Sequence, residues 1–481
     1  MLFNSIEFAI FLPVIFIIYW FFANKNLRIQ NTLLLISSYV FYGWWDWRFL
    51  GLIIFSSFVD FFVGLRIEST TRAFDKKKWL LLSLLVNLGF LGFFKYYNFF
   101  TQSFVDAFTL LGHSFEPSRL NVILPVGISF YTFQTLSYSI DVYRGKMKPT
   151  KDIISFFSFV SFFPQLVAGP IERASNLLPQ FFKKRTFEHG KAVNGIKQIA
   201  WGLFKKMVIG DYCALLADEV FNNSDYYSGS TLVLGAICFT FQIYCDFSGY
   251  SDIAIGTSRL FGFDLMTNFR YPYFSRDIAE FWRRWHISLS TWFRDYLYIP
   301  LGGSKGSFVQ KIRNVFIIFV VSGFWHGANW TFIVWGFLNA MYFIPLMMAK
   351  RNRKYLDDIS QGRNFPSIRE GLSILSTFSL TVFAWIFFRA ESLTHATEYI
   401  IGIFSHDLFL MPQLDEYSYK KLPVFLIILI VIEWVGRHQS FAIEKIAVNW
   451  PKPIRWGFYV GLTVFILAFH SAGQKFIYFQ F

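Results

Sequence analysis

The sequence predicts an all-α polytopic membrane protein, and three observations carry the prediction. Apolar residues make up 54% of the 481-residue chain and aromatic residues 22%, with 64 phenylalanines. Only 16% of residues are charged, against about 25% in ordinary soluble domains. Apolar runs at 8–22, 50–65, 79–94, 371–388, 422–435 and 456–470 each approach or exceed the ~20 residues that cross a ~30 Å hydrocarbon core. A water-soluble fold of this length needs far less apolar surface.

Taken in order, the first run stays as a helix: no basic stretch precedes it, Asn4 and Glu7 lead in, and no small-residue cleavage site follows before Asn24. A weaker span follows at 31–45. Lys25 and Arg28 come after the first span, and Arg66, Arg72 and Lys76 to Lys78 after the third. Cationic residues sort to cytoplasmic loops, so both basic loops and the basic stretches 351–369 and 437–455 are expected in the cytoplasm. The stretch 390–421, with Glu391, Asp407, Asp415 and Glu416, and both termini are expected outside a cytoplasmic (inner) membrane. The net charge of +14 then reads as topology, with no nucleic acid implied. Cationic cytoplasmic loops would also attract a phosphate-bearing donor such as coenzyme A.

Segment 121–140 is broken by Pro125 and Gly127, and 160–172 by Pro164, Gly169 and Pro170. Irregular backbone at membrane depth survives only where protein or a water-filled cavity surrounds it, so these segments are expected to line a path and not to face lipid. Roughly eleven to thirteen embedded segments result. No internal repeat or low-complexity linker is evident, which favours a single membrane domain over 1–481 and weakens a transporter built from inverted repeats. Cys213, Cys238 and Cys245 lie in or beside apolar segments without C-x-x-C spacing, so neither a disulfide framework nor a zinc site is suggested.

Polar groups inside a bilayer are expensive and therefore functional candidates. In FQIYCDFSGYSDIAIG, Gln242 and Asp246 share a helical face at i, i+4, with Ser248, Ser251 and Asp252 nearby. A buried network joining helices and a substrate contact are both open readings. If 278–297 is one helix, Trp282, Trp285, His286, Leu289 and Phe293 form a single apolar face, and Glu280 pairs with Arg284 one turn on. A histidine on such a face is most often a satisfied core residue. Two features favour chemistry at His286. His326 sits between Gly323 and Gly327 in VSGFWHGANW, where glycines permit close approach. From the cytoplasmic Lys311 and Arg313, helical rise places it roughly 20 Å into the membrane. Of eight histidines, only these two lie in strongly aromatic, glycine-marked motifs.

Two neutral imidazoles at membrane depth, without a third group at ligand spacing, suit proton transfer better than metal binding. No G-x-S-x-G elbow and no P-loop occurs. Arg294, Asp295, Tyr298 and the glycines of FRDYLYIPLGGS mark a helix end, where Arg294–Asp295 pairing is the plain structural reading.

At these residues the chain resembles the membrane-bound O-acyltransferases, and among them the branch that acetylates alginate. The stretches that carry the likeness are YCDFSGYSDIAIG (244–256), FWRRWHISLSTWFRDYLYIPLGG (281–303), FWHGANWTFIVWG (324–336), the closing FIYFQF (476–481), and the N-terminal MLFNSIEFAIFLPVIFIIYW with SSYVFYGWWDWRF at 37–49. The resemblance implies a ring of tilted helices around a transmembrane tunnel, with His326 as the essential histidine and His286 at the second motif position. Gln242, Asp246, Arg294, Asp295, Tyr298 and Asn329 become candidate substrate contacts. It further implies no bound cofactor, acetyl-CoA as cytoplasmic donor, an extracytoplasmic polysaccharide such as alginate as acceptor, and a periplasmic or extracellular acetyltransferase as partner. Direct transfer with His326 as general base and transfer through an acetyl-histidine both fit. D-alanyl transfer to teichoic acid is an alternative within the class, and a proton-coupled transporter or export channel outside it.

Overall fold

The computed structural model describes residues 1–113, 116, 120, 123–167, 169–412, 416–469 and 476–477. Asn121, Val122, Ala168, Asp415, His470 and residues 478–481, which belong to stretches discussed above, lie outside the described residues. Among the described residues every regular element is helical. In hydrocarbon a helix satisfies each backbone group within one segment, which is why apolar runs of this length fold so. Six helical runs among them are long and apolar enough to cross a membrane, 27–69, 73–110, 229–260, 308–326, 330–348 and 368–389. The chain is a multi-pass membrane protein. It divides into two compact units, Met1–Gly195 with Thr257–Met266, and Ile196–Gly256 with Thr267–Phe481.

In the first unit, α1 (Ile6–Ile17) is capped by Ser5, whose hydroxyl accepts from the Phe8 amide at 3.3 Å. Asn26 caps α2 (Leu27–Asp46). Asp46 is extended, at φ −159° and ψ 108°, so the chain turns there before α3 (Leu50–Ser69), and the long run 27–69 is two helices. Next come α4 (Ala73–Leu91), α5 (Tyr97–Leu110), α6 (Ile128–Tyr143) and α7 (Ile153–Ser161). Asp60 of α3 accepts hydrogen bonds from Ser83 of α4, from Asn87 Nδ2 at 2.7 Å and from Ser139 of α6 at 2.6 Å. Asn87 Oδ1 accepts from Ser56 and Thr135. These bonds tie three helices together.

From Pro125 onward the described residues of both broken stretches are mostly buried in protein, as their irregular backbone requires. Gly127, at φ 76°, starts α6, and a Cβ there would lie 2.8 Å from the Leu166 carbonyl oxygen. Freed polar groups find partners: Tyr42 Oη donates to the Val126 carbonyl at 2.9 Å, and the Phe163 amide donates to Ser38 Oγ at 3.0 Å.

The second unit contains α8 (Asp211–Asn222), α9 (Gly229–Leu260, to residue 256), α10 (Ile278–Arg284), α11 (Ile287–Phe293), α12 (Phe308–His326), α13 (Trp330–Met348), α14 (Ile368–Arg389), α15 (Glu416–Gly436) and α16 (Lys452–Phe469). The α12–α13 hairpin is close-packed. A Cβ at Gly323 would sit 2.1 Å from the Phe332 carbonyl oxygen, and one at Gly336 2.3 Å from that of Phe319. Small residues are what allow membrane helices to approach this far.

Candidate active site

The site grows out of a helix that stops early. Asp277 caps α10 by accepting from the Glu280 amide at 2.7 Å, and Glu280 takes both Arg276 and Arg284 at 2.9 Å. The Glu280–Arg284 pair follows from i, i+4 spacing; the single helix over 278–297 does not form. Trp285 is extended (φ −99°, ψ 128°), and His286 is left-handed at φ 42°, ψ 54°. Hydrogen bonds from elsewhere in the chain outcompete helix continuation: the Ile287 amide donates to the Asn268 carbonyl at 2.8 Å, and the Arg270 amide to the Arg284 carbonyl at 2.9 Å. Helix resumes at Ile287 and ends in a π-turn at Arg294–Tyr298.

This break places His286 in a closed aromatic setting. The residue is 1% exposed, with Phe247 edge-on at 4.6 Å between ring centroids and Trp325 at 6.1 Å. Its Nδ1 lies 3.0 Å from Asn268 Oδ1, and its Nε2 is buried without a hydrogen-bond partner among the described residues. His326 ends α12 and is 4% exposed. Trp335 and Phe388 pack edge-on against it, each at 5.3 Å. The two imidazoles stand 6.3 Å apart, centroid to centroid. Two buried imidazoles this close together, tilted by 56°, are candidates for proton transfer.

Residues 149–363 match MBOAT, the membrane-bound O-acyltransferase family. A protein of Pseudomonas aeruginosa named probable alginate O-acetylase AlgI is 41% identical over 92% of this chain and 82% of its own length. The chain belongs to the membrane-bound O-acyltransferase family. The peptidoglycan O-acetyltransferase of Helicobacter pylori is 34% identical over 100% of this chain and 98% of its own. The teichoic acid D-alanyltransferase of Bacillus subtilis is 28% identical over 57% of this chain and 71% of its own.

The structure of this membrane O-acyltransferase brings some of the candidate residues together and leaves others in local roles. His286 and His326 lie beside each other, tilted by 56°. Asp246, on α9, is held by Lys206 at 2.5 Å and by the Ile477 amide at 2.7 Å, while Lys206 also meets Asp211 at 2.8 Å. Gln242, one turn earlier, is buried with Oε1 unpartnered among the described residues. Asn329 caps α13, accepting from the Thr331 amide at 3.1 Å and donating to the Glu391 carbonyl at 2.8 Å. Arg294 pairs with Asp295 at 2.7 Å, and Tyr298 meets Ser304 at 3.1 Å, both at the rim of the π-turn.

Sequence reasoning missed four residues that shape the acyltransferase. Lys205 and Lys206 neutralise the α9 carboxylates, Lys205 reaching Asp252 at 2.6 Å and Ser248 at 2.9 Å. Their signal was available, as two lysines inside the apolar stretch LFKKMVIG. Glu433 of α15 accepts from Tyr244 at 2.7 Å and lines a cavity of about 310 Å³ together with Tyr244, Tyr273 and Phe378. Asn268 carried no signal: it is one polar residue in a loop.

Proposed function

We propose that this acyltransferase moves an acetyl group from cytoplasmic acetyl-CoA to a hydroxyl of an extracytoplasmic polysaccharide, through His326 and His286. The closeness of two buried imidazoles, 6.3 Å between ring centroids, carries the reading. The alginate and peptidoglycan O-acetylating relatives support the acceptor class. His326 accepts the proton of the acceptor hydroxyl as its oxygen attacks the thioester carbonyl. The C–S bond then breaks, and the departing thiolate takes that proton back, so the histidine is restored. His286 holds the acceptor hydroxyl until the attack begins. General-base assistance of this kind contributes roughly 10²- to 10⁴-fold, and alignment of donor with acceptor contributes more. The enzyme sits in the cytoplasmic membrane with both termini outside; the hydroxyl acetylated at His326 belongs to an intermediate acceptor, from which an acetyltransferase on the outer face passes the group to the polysaccharide.

The test is ester-linked acetate on cell-surface polymers, measured separately in exopolysaccharide and peptidoglycan fractions. Wild type and His326→Ala are compared at matched membrane levels. Loss of acetate from one fraction at constant polymer yield is expected and names the acceptor. Unchanged acetate in both fractions sinks the proposal and returns weight to transport.

A further inference from the structure

We propose that Asn268 is a positioning residue of this enzyme: it sets the tautomer of His286, leaving Nε2 as an obligatory hydrogen-bond acceptor for the substrate hydroxyl. The proposal rests on the reading that His286 meets that hydroxyl.

The orientation of the Asn268 amide is decided by its neighbours. The backbone N–H of Ser288, which can only donate, lies 3.4 Å from Oδ1, and the Ser288 hydroxyl donates to the same atom at 2.9 Å. On the other side, Nδ2 donates to Ser251 Oγ at 3.0 Å. Oxygen therefore faces His286 Nδ1 at 3.0 Å. A carbonyl oxygen only accepts, so Nδ1 carries the hydrogen, and a neutral imidazole has no second one to place on Nε2. That nitrogen keeps its lone pair in a buried site with no partner among the described residues. A histidine retained for packing alone gains nothing from an uncompensated acceptor; a phenylalanine would fill the same space.

The same residue also holds the ring in place. Through the 2.8 Å bond from the Ile287 amide, the Asn268 carbonyl supports the left-handed backbone at His286, a conformation that non-glycine residues adopt only when their surroundings impose it. Side chain and main chain of one asparagine thus determine both where the imidazole stands and which nitrogen is bare. An oxygen held by Nε2 at about 2.8 Å is within reach of a second ring whose centroid lies 6.3 Å away. The hydroxyl donates its one hydrogen to His286 Nε2 on binding and turns that hydrogen to His326 as its oxygen attacks, so the two rings serve it in turn.

The experiment uses the full chain, ¹⁵N-labelled at histidine, in lipid nanodiscs. The His286 resonances are assigned by their disappearance in His286→Phe, and ¹⁵N shifts report which nitrogen is protonated. Wild type is expected to show Nδ1 protonated and Nε2 bare. Asn268→Asp, which keeps the accepting oxygen, retains that pattern, whereas Asn268→Leu mixes the two tautomers. In cells, surface acetate should fall about 10²- to 10⁴-fold in Asn268→Leu and stay within a few fold in Asn268→Asp, at equal membrane levels. A protonated Nε2 in wild type, or an unchanged tautomer in Asn268→Leu, overturns the proposal. Should Asn268→Leu not accumulate, the wild-type and Asn268→Asp spectra decide. Full acetate in His286→Phe would instead defeat the functional reading; an inactive His286→Phe beside a fully active Asn268→Leu would defeat the role of Asn268 alone.

Discussion

Asp60 and Asn268 each stand at the centre of a buried network of side-chain hydrogen bonds, and the two networks end differently. Around Asp60, hydroxyl and amide donors of Ser83, Asn87 and Ser139 converge on one carboxylate, and the leftover Asn87 oxygen is taken up by Ser56 and Thr135. Around Asn268 the bonding to Ser251, Ser288 and His286 runs just as far and then leaves His286 Nε2 open. A closed network converts buried polarity into helix–helix attachment. One left open by a single buried acceptor holds that atom ready for a ligand.

The sharpest way to break this comparison is to remove the open acceptor while keeping its shape. His286→Phe should cut acetyl transfer about 10²- to 10⁴-fold with the thermal midpoint in detergent unchanged or raised. A midpoint drop matching the activity loss would make His286 a structural residue like Asp60. The reverse outcome is expected at the other network. Asp60→Ala strands several buried donors, each costing about 1–3 kcal/mol, so membrane yield and thermal midpoint should fall while transfer per folded molecule holds. Transfer lost at full stability would give that cluster a part in the chemistry. The smallest effect is expected at Asn329, where the side chain serves as a cap. Asn329→Ala should cost about 1 kcal/mol of stability and leave the apparent affinity for donor and acceptor alone; a raised KM would restore it as a substrate contact.

The membrane class, the helical runs and the two motif histidines were legible in the sequence because each rests on local pattern: run length, hydropathy and glycine-flanked aromatic spacing. The Asn329 cap is local too, one residue ahead of an apolar helix, yet sequence reasoning reads that residue as a substrate contact. Asp246 shows where legibility ended. Its burial and its helical face could be read, but its partner Lys206 lies on another segment, and pairing across segments has no period to detect.

From the sequence alone came the all-helical membrane architecture, the identity of the histidines, and the i, i+4 pairing of Glu280 with Arg284. Those properties depend on residues a turn or a span apart. The tertiary structure decided that the helix breaks at His286, that His286 and His326 come within 6.3 Å of each other, and that Asn268, 18 residues away in sequence, holds the imidazole. Left to local preference, 278–297 would run on as one amphipathic helix. It breaks because backbone hydrogen bonds supplied by residues 268–270 compete with the next helical turn, and a competition between near and distant partners is settled only when the chain has folded.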